Sequence, residues 1–98
     1  MQTNIDHIKT VIQKHSDFLR DTYNVDRIGI FGSIARDEHK ETSDVDVLVE
    51  LSNPLGMFKF IELEEFLSKV IGKKVDLVTN KALKPAIKEE VLQEIVYV

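Results

Sequence analysis

The apolar residues of the chain follow first a helical spacing and then a strand-like one. Along residues 3 to about 21, apolar side chains recur every three or four positions, which predicts an amphipathic helix. Residues 25–31 are a short run of branched and aromatic side chains that stops at Gly32, as is typical of a strand. Residues 33 to about 38 then suit a short helix or helical turn, with Ser33 at its start.

The clearest strand pattern is in residues 45–51, where apolar and other side chains alternate. The faces of that strand would carry Val45, Val47 and Val49 on one side and Asp46, Leu48 and Glu50 on the other. Residues 57–71 return to a helical period and end at Gly72. The predicted buried stripe of this helix consists of Phe58, Ile61, Phe66, Leu67, Val70 and Ile71.

The last third of the chain adds one strand and one helix. Residues 75–78 predict a third strand, and Pro85 lies where the first turn of a helix reaching about Glu94 would begin. Residues 96–98 form a short apolar end, either docked on the domain or offered to a partner. The order α-β-α-β-α-β-α predicts an α/β (α+β) fold, in which one small mixed sheet is packed with helices in a single domain of residues 1–98.

Composition narrows the function classes. The 98 residues carry 13 Lys and Arg against 17 Asp and Glu, a net charge of −4, without a long basic run, so we expect no DNA binding. The absence of cysteine excludes disulfides and thiolate zinc sites. No apolar run is long enough for a membrane span, and the first residues lack the layout of a signal peptide. We therefore expect a soluble cytoplasmic domain.

Candidate chemistry begins with Asp44 and Asp46 at the start of the second strand. Residues two apart on a strand point the same way, with about 6.6 Å between them at a rise of about 3.3 Å per residue. Two carboxylates at that distance repel each other unless they are solvated or bridged by a cation, and Mg²⁺ suits carboxylate ligands. A strand with one wet face would also carry such residues, so the pair alone leaves both interpretations open.

Two further features strengthen the metal interpretation. Asp76 lies within the third strand and would add a third carboxylate if it faces the same side as Asp46, although an acid on an edge strand is the alternative. Sites that hold a pair of metal ions for phosphoryl transfer need such a cluster. Gly32 and Ser33 follow the first strand, where a glycine lets the backbone approach a phosphate and the serine hydroxyl and following N–H groups can donate to it. An ordinary serine-capped turn is the alternative there.

The motifs together resemble a known family. Residues 31–36 (FGSIAR), followed by residues 43–49 (SDVDVLV), resemble the signature of the DNA polymerase β-like nucleotidyltransferase superfamily. The later residues 73–78 (KKVDLV) and the C-terminal segment resemble, more narrowly, the minimal nucleotidyltransferases of the MNT (MntA-like) antitoxin family. The resemblance covers nearly the whole chain.

This resemblance implies roles for individual residues. Gly32 and Ser33 would bind the nucleoside triphosphate, ATP being the family expectation. Asp44, Asp46 and Asp76 would be the catalytic acids that bind a pair of Mg²⁺ ions, with Asp76 also assisting the incoming hydroxyl. Arg36 would contact phosphate or brace the loop, or alternatively pair with a neighbouring acid. The family often has glycine where this chain has Asp37, and an acid that faces the phosphate there would reduce nucleotide affinity or alter the turn.

The resemblance also implies a reaction and a partner. Such enzymes join a hydroxyl to the α-phosphorus of a nucleoside triphosphate, and the MNT antitoxins transfer AMP to a tyrosine of a HEPN-domain toxin. Because the chain has no room for a second domain, the acceptor surface would come from that toxin. One alternative is a catalytically weak antitoxin that acts by binding and occlusion. The other is a nucleotidyltransferase that modifies a small molecule or an RNA end with an accessory chain.

Overall fold

The computed structural model describes residues 4–35 and 44–98. In chain order the elements are α1 (Ile5–Lys14), α2 (Ser16–Tyr23), β1 (Val25–Phe31), β2 (Val45–Leu51), α3 (Met57–Ile71), β3 (Val75–Thr79), α4 (Pro85–Glu94) and β4 (Val96–Tyr97). The strands of the described residues form one mixed sheet in the order β3-β2-β1-β4, in which β2 and β3 are parallel and the other neighbours antiparallel. The predicted α/β fold with a small mixed sheet is confirmed.

The first predicted helix is two helices that meet at His15. The His15 N–H donates to the carbonyl of Ile12 at 3.0 Å, a tighter bond than the helical spacing of four residues, and the His15 carbonyl then accepts from the Leu19 N–H at 2.9 Å. Apolar residues on both sides of this joint face the core, so their spacing resembles one continuous helix. Asn24 ends the second helix in a left-handed conformation, with φ of 57°.

The sheet has two faces with different coverings. On the core face, alternate strand residues are buried against α1, α2 and α3, and these strand residues are Ile28, Ile30, Val45, Val47, Val49, Val75 and Leu77. The residues between them define the outer face, which carries Arg27, Gly29, Phe31, Asp46, Leu48, Glu50 and Asp76. The alternation predicted for β2 is therefore confirmed, and it separates an apolar layer from a face that bears carboxylates.

The C-terminal residues 96–98 are docked on β1, which is one of the two predicted alternatives. Val96 pairs with Ile30 and Tyr97 with Gly29, and the Val98 N–H donates to the Ile28 carbonyl at 2.9 Å. A Cβ on Gly29 would overlap the Ile95 side chain, so this glycine lets the segment lie close against β1.

The bounds predicted for α3 are confirmed, but part of its predicted buried stripe is wrong. Phe58 is 87% exposed and Ile61 45% exposed, whereas Leu63, Leu67 and Ile71 are buried. At about 100° per residue, Phe58 lies half a turn away from Leu67, on the opposite side of the helix.

Side chains of α3 also close the free edge of β3. The Val75 N–H donates to the Ser68 hydroxyl at 3.0 Å, and the Leu77 N–H donates to Oε2 of Glu64 at 3.0 Å. These bonds satisfy donors that an edge strand would otherwise offer to another chain.

Residues 32–35 form turns, and the rest of the segment predicted as a short helix lies outside the described residues. Among the helices that the structure describes, none has both the length and the apolar character needed to cross a membrane.

Candidate active site

The site is built on the turn that follows β1. Phe31, the last residue of β1, pairs with Asp46, so the next residue, Gly32, lies beside the start of β2. Gly32 has φ of 77°, and a Cβ built on it would overlap Oδ2 of Asp46. Glycine is therefore required here for two reasons, because the backbone is left-handed and because the Asp46 carboxylate packs against its Cα. The turn and the Asp46 carboxylate are therefore in contact.

Asp46 and Asp76 lie side by side at the start of the parallel strands β2 and β3. They are paired in the register of these strands, which places both on the outer face. The backbones of neighbouring strands are about 4.8 Å apart. Asp46 is partly buried beside the turn, and Asp76 is exposed. Asp76 therefore faces the same side of the sheet as Asp46, as the metal interpretation requires. Because β3 is an edge strand and Asp76 is exposed, the alternative of a solvent-facing acid on an edge strand stays open.

Asp44 lies immediately before β2 and is exposed. The next residue, Val45, is held to β3 because its N–H donates to the Lys74 carbonyl at 2.9 Å. The three aspartates thus belong to the same end of the sheet, where β2 and β3 both begin.

The described carboxylates share an end and a face of the sheet without forming a closed cluster. In residues 4–35 and 44–98, no three His, Cys, Asp or Glu side chains are grouped so that they would hold a metal ion. The donor chemistry nevertheless suits Mg²⁺, because Asp44, Asp46 and Asp76 offer carboxylate oxygens at the ends of adjoining strands. The predicted metal ligation of these residues stays a prediction.

A groove of about 370 Å³ opens beside the turn. Its walls are Phe31, Gly32, Ser33, Asp46, Ile87, Glu90, Val91 and Glu94. The volume falls within the range of about 300–1,000 Å³ that is usual for small-molecule sites. The predicted nucleotide-binding residues Gly32 and Ser33 therefore share one cavity with the catalytic candidate Asp46.

The wall contributed by α4 was not expected from the sequence. Glu94 accepts a hydrogen bond from the Gly32 N–H, with 3.2 Å between the nitrogen and Oε1. Nothing in the spacing of α4 indicates this contact, because it depends on how the C-terminal segment folds back along β1.

Arg36 and Asp37 lie outside the described residues, and their predicted effects on phosphate binding stay predictions.

Two groups with displaced pKa values lie outside the walls of this groove. Burial, reinforced by the Glu62 carboxylate, raises the pKa of Tyr23 in α2. The Glu50 carboxylate raises the pKa of Arg27, which donates to it through both Nε and Nη2 at 3.0 and 2.9 Å. The Arg27 guanidinium also lies 3.7 Å from the centre of the Tyr97 ring, so this side chain joins β2, β1 and β4.

The chain matches the family described as nucleotidyltransferase domain over residues 12–98. It belongs to that family. The protein adenylyltransferase MntA of Thermococcus cleftensis is 45% identical over 94 residues, covering 96% of this chain and 95% of the relative. A provisionally named protein adenylyltransferase of Methanocaldococcus jannaschii is 41% identical over 95 residues, covering 96% and 97%. The resemblance to the MntA-like proteins is therefore confirmed.

Solved structures agree with this assignment. A minimal nucleotidyltransferase superposes with a TM-score of 0.73 at 30% identity, covering 91% of this chain and 93% of that one. A toxin–antitoxin complex with AMP-PNP contains a chain with a TM-score of 0.72 at 24% identity, covering 87% of this chain and 69% of that one. The second likeness concerns the fold alone.

Proposed function

We propose that this nucleotidyltransferase is an antitoxin that transfers AMP from ATP to a tyrosine of a HEPN-domain toxin and so neutralises it. The observation that carries the proposal is the contact between Gly32 and the Asp46 carboxylate, with Asp76 beside Asp46 in the strand register. The turn that we propose to bind phosphate thus lies at the same end of the sheet as the two acids. The 45% identical MntA supports AMP as the transferred group.

In the proposed reaction, the tyrosine oxygen forms a bond to the α-phosphorus of ATP. The bond from that phosphorus to its bridging oxygen breaks, and pyrophosphate leaves. The Ser33 hydroxyl and the N–H groups that follow it hold the phosphates, while Asp76 accepts the proton of the incoming hydroxyl. Mg²⁺, when bound by Asp44, Asp46 and Asp76, supplies charge neutralisation at the phosphates. The protein contributes mainly positioning and electrostatics.

The acceptor is proposed to come from another molecule because the groove is open and short. Its walls come from the turn, the start of β2 and one face of α4, and the described residues add no second lobe that would hold an acceptor chain. A toxin partner is supported by the same fold in MNT antitoxins crystallised with HEPN toxins, including the tri-AMPylated toxin of Shewanella oneidensis.

The test is to incubate the protein with ATP labelled in the α-phosphate, Mg²⁺ and an extract containing the HEPN toxin. We expect label on the toxin protein, and none when Asp44→Asn and Asp46→Asn are combined. Label on RNA ends or on a small solute would instead indicate the accessory-chain alternative.

A matched control separates catalysis from occlusion. Glu50→Gln also converts a carboxylate of the outer face of β2 to an amide, but at the opposite end of the strand from Gly32. This control should label the toxin as the wild type does. If the double variant neutralises the toxin fully without labelling it, neutralisation is by occlusion, and the proposal that AMP transfer neutralises the toxin is refuted.

A further inference from the structure

Glu94 lies opposite Gly32 in the register of β1 and β4. The antiparallel pairs are Gly29 with Tyr97 and Ile30 with Val96, and continuing this register by two residues brings Gly32 opposite Glu94. Glu94, however, is the last residue of α4, so its backbone is helical and does not extend the ladder. Its side chain completes the ladder instead, because Oε1 accepts the Gly32 N–H at 3.2 Å.

The backbone of Glu94 is anchored on both sides along the chain. Val91, one turn earlier, is buried and accepts the Ile95 N–H at 2.9 Å. Ile95, the next residue, packs so closely on Gly29 that a Cβ there would overlap it. A carboxylate attached to this fixed point reaches Gly32 from a defined direction.

Gly32 is therefore held by two carboxylates. Asp46 packs against its Cα, and Glu94 accepts its N–H. A residue with φ of 77° is free to adopt other conformations when it is glycine, so these contacts select one of them. The direction in which Ser33 and the following N–H groups point depends on that conformation.

We propose that Glu94 is a positioning residue for nucleotidyl transfer, which acts through Gly32 to hold the phosphate-binding turn. The inference rests on the proposed function, since it assigns the turn to the triphosphate. While Glu94 accepts the Gly32 N–H, that donor is not shared with the nucleotide, so phosphate is bound by Ser33 and the donors that follow it. If the Glu94 carboxylate instead repelled the phosphate, removing it would strengthen nucleotide binding rather than weaken it.

The experiment compares Glu94→Ala, which removes the acceptor, with Glu94→Gln, which keeps an oxygen acceptor and removes the charge. Glu89→Ala is the matched control, because Glu89 is an exposed acid of α4 that is not part of the groove wall. We expect Glu94→Ala to raise KM for ATP about tenfold with kcat changed less than about threefold, as the loss of one charge-assisted hydrogen bond implies. Glu94→Gln should recover most of the KM, and Glu89→Ala should match the wild type.

A second measurement does not depend on activity. Hydrogen exchange of the Gly32 amide, followed by NMR on the full chain, should become at least about tenfold faster in Glu94→Ala and stay unchanged in Glu89→Ala. An unchanged exchange rate, an unchanged KM or a lowered KM in Glu94→Ala would overturn the inference.

The two proposals fail differently. A wild type that transfers AMP while Glu94→Ala behaves identically refutes the role of Glu94 alone. A wild type that binds ATP but transfers no AMP refutes the proposed transfer, and a roughly tenfold weaker ATP affinity of Glu94→Ala would still support the positioning role. A wild type that binds no ATP overturns both.

Discussion

Neighbouring residues of β2 belong to two different environments. Val45, Val47 and Val49 are each 0% exposed on the core face, whereas Asp46, between the first two, lies on the outer face beside the Gly32 turn. The core face is covered by α1, α2 and α3, and the outer face by α4 and the segment that leads into β4. One seven-residue strand thus contributes both to the stability of the domain and to its candidate chemistry.

The comparison indicates how a small enzyme accommodates carboxylates on the same sheet that forms its core. Burial of apolar side chains on one face stabilises the sheet by about 25 cal/mol per Å² removed from water. The other face does not need to contribute as much, so charged residues and an open groove are tolerated there. Substitutions on the two faces should consequently separate stability from activity.

The largest effect is expected on the core face. Ile30→Ala removes a fully buried side chain that precedes the site by two residues, and should lower the free energy of unfolding by about 2–5 kcal/mol. AMP transfer per folded molecule should remain near that of the wild type at low temperature. Chemical denaturation and transfer kinetics on the same preparation test this prediction, and a selective loss of activity in the folded variant would contradict the separation.

A substitution on the outer face should reduce AMP transfer and leave stability nearly unchanged. Asp46→Asn keeps the side-chain shape against Gly32 but removes a charge, and should lower kcat about 100-fold or more, equivalent to about 2.7 kcal/mol. The free energy of unfolding should change by less than about 1 kcal/mol. If the variant retains more than about a tenth of the wild-type rate, Asp46 is not a catalytic acid.

Two left-handed glycines provide an intermediate and well-controlled case. Gly32 and Gly72 have φ of 77° and 84°, but a Cβ on Gly32 meets Asp46, whereas one on Gly72 meets nothing within 4 Å. Both Gly→Ala variants should lose about 1–2 kcal/mol of stability because of backbone strain. Only Gly32→Ala should also lose AMP transfer, since Asp46 must move. Equal activity of the two variants would show that the Gly32–Asp46 contact is dispensable.

The smallest effect is expected at Phe58. Although it is a large apolar residue, it is 87% exposed, so Phe58→Ala should change the free energy of unfolding by no more than about 0.5 kcal/mol. Thermal or chemical denaturation of Phe58→Ala and Ile30→Ala under the same conditions tests this prediction. If Phe58→Ala lowered the free energy of unfolding as much as Ile30→Ala does, Phe58 would have to be a core residue, as the helical period alone predicted.

These cases show which parts of the molecule follow from local pattern. The alternation in β2, the bounds of α3 and the meeting of Gly32 with Asp46 were predictable, because each depends on residue periods and on the order of elements. The joint at His15 was not, since apolar spacing continues across it. Phe58 was misassigned because a helical period alone does not determine which side of a helix meets the sheet.

The remaining features of the site depend on tertiary contacts. Glu94 reaches Gly32 only because the last residues form β4 beside β1, and a two-residue strand leaves little periodic signal. The side of the sheet on which Asp76 lies likewise required the parallel register of β2 and β3. The sequence was therefore sufficient to identify Asp76 and the Gly32 turn as candidates, but not Glu94, the carboxylate that accepts the Gly32 N–H.

The most direct test of the central claim is the intact mass of the purified HEPN toxin after incubation with this protein, ATP and Mg²⁺. The account predicts a mass increase corresponding to one or more AMP groups, located on tyrosine by peptide mapping. The increase should be absent when Asp44→Asn and Asp46→Asn are combined. A toxin that is neutralised by the wild type while its mass stays unchanged would contradict the account.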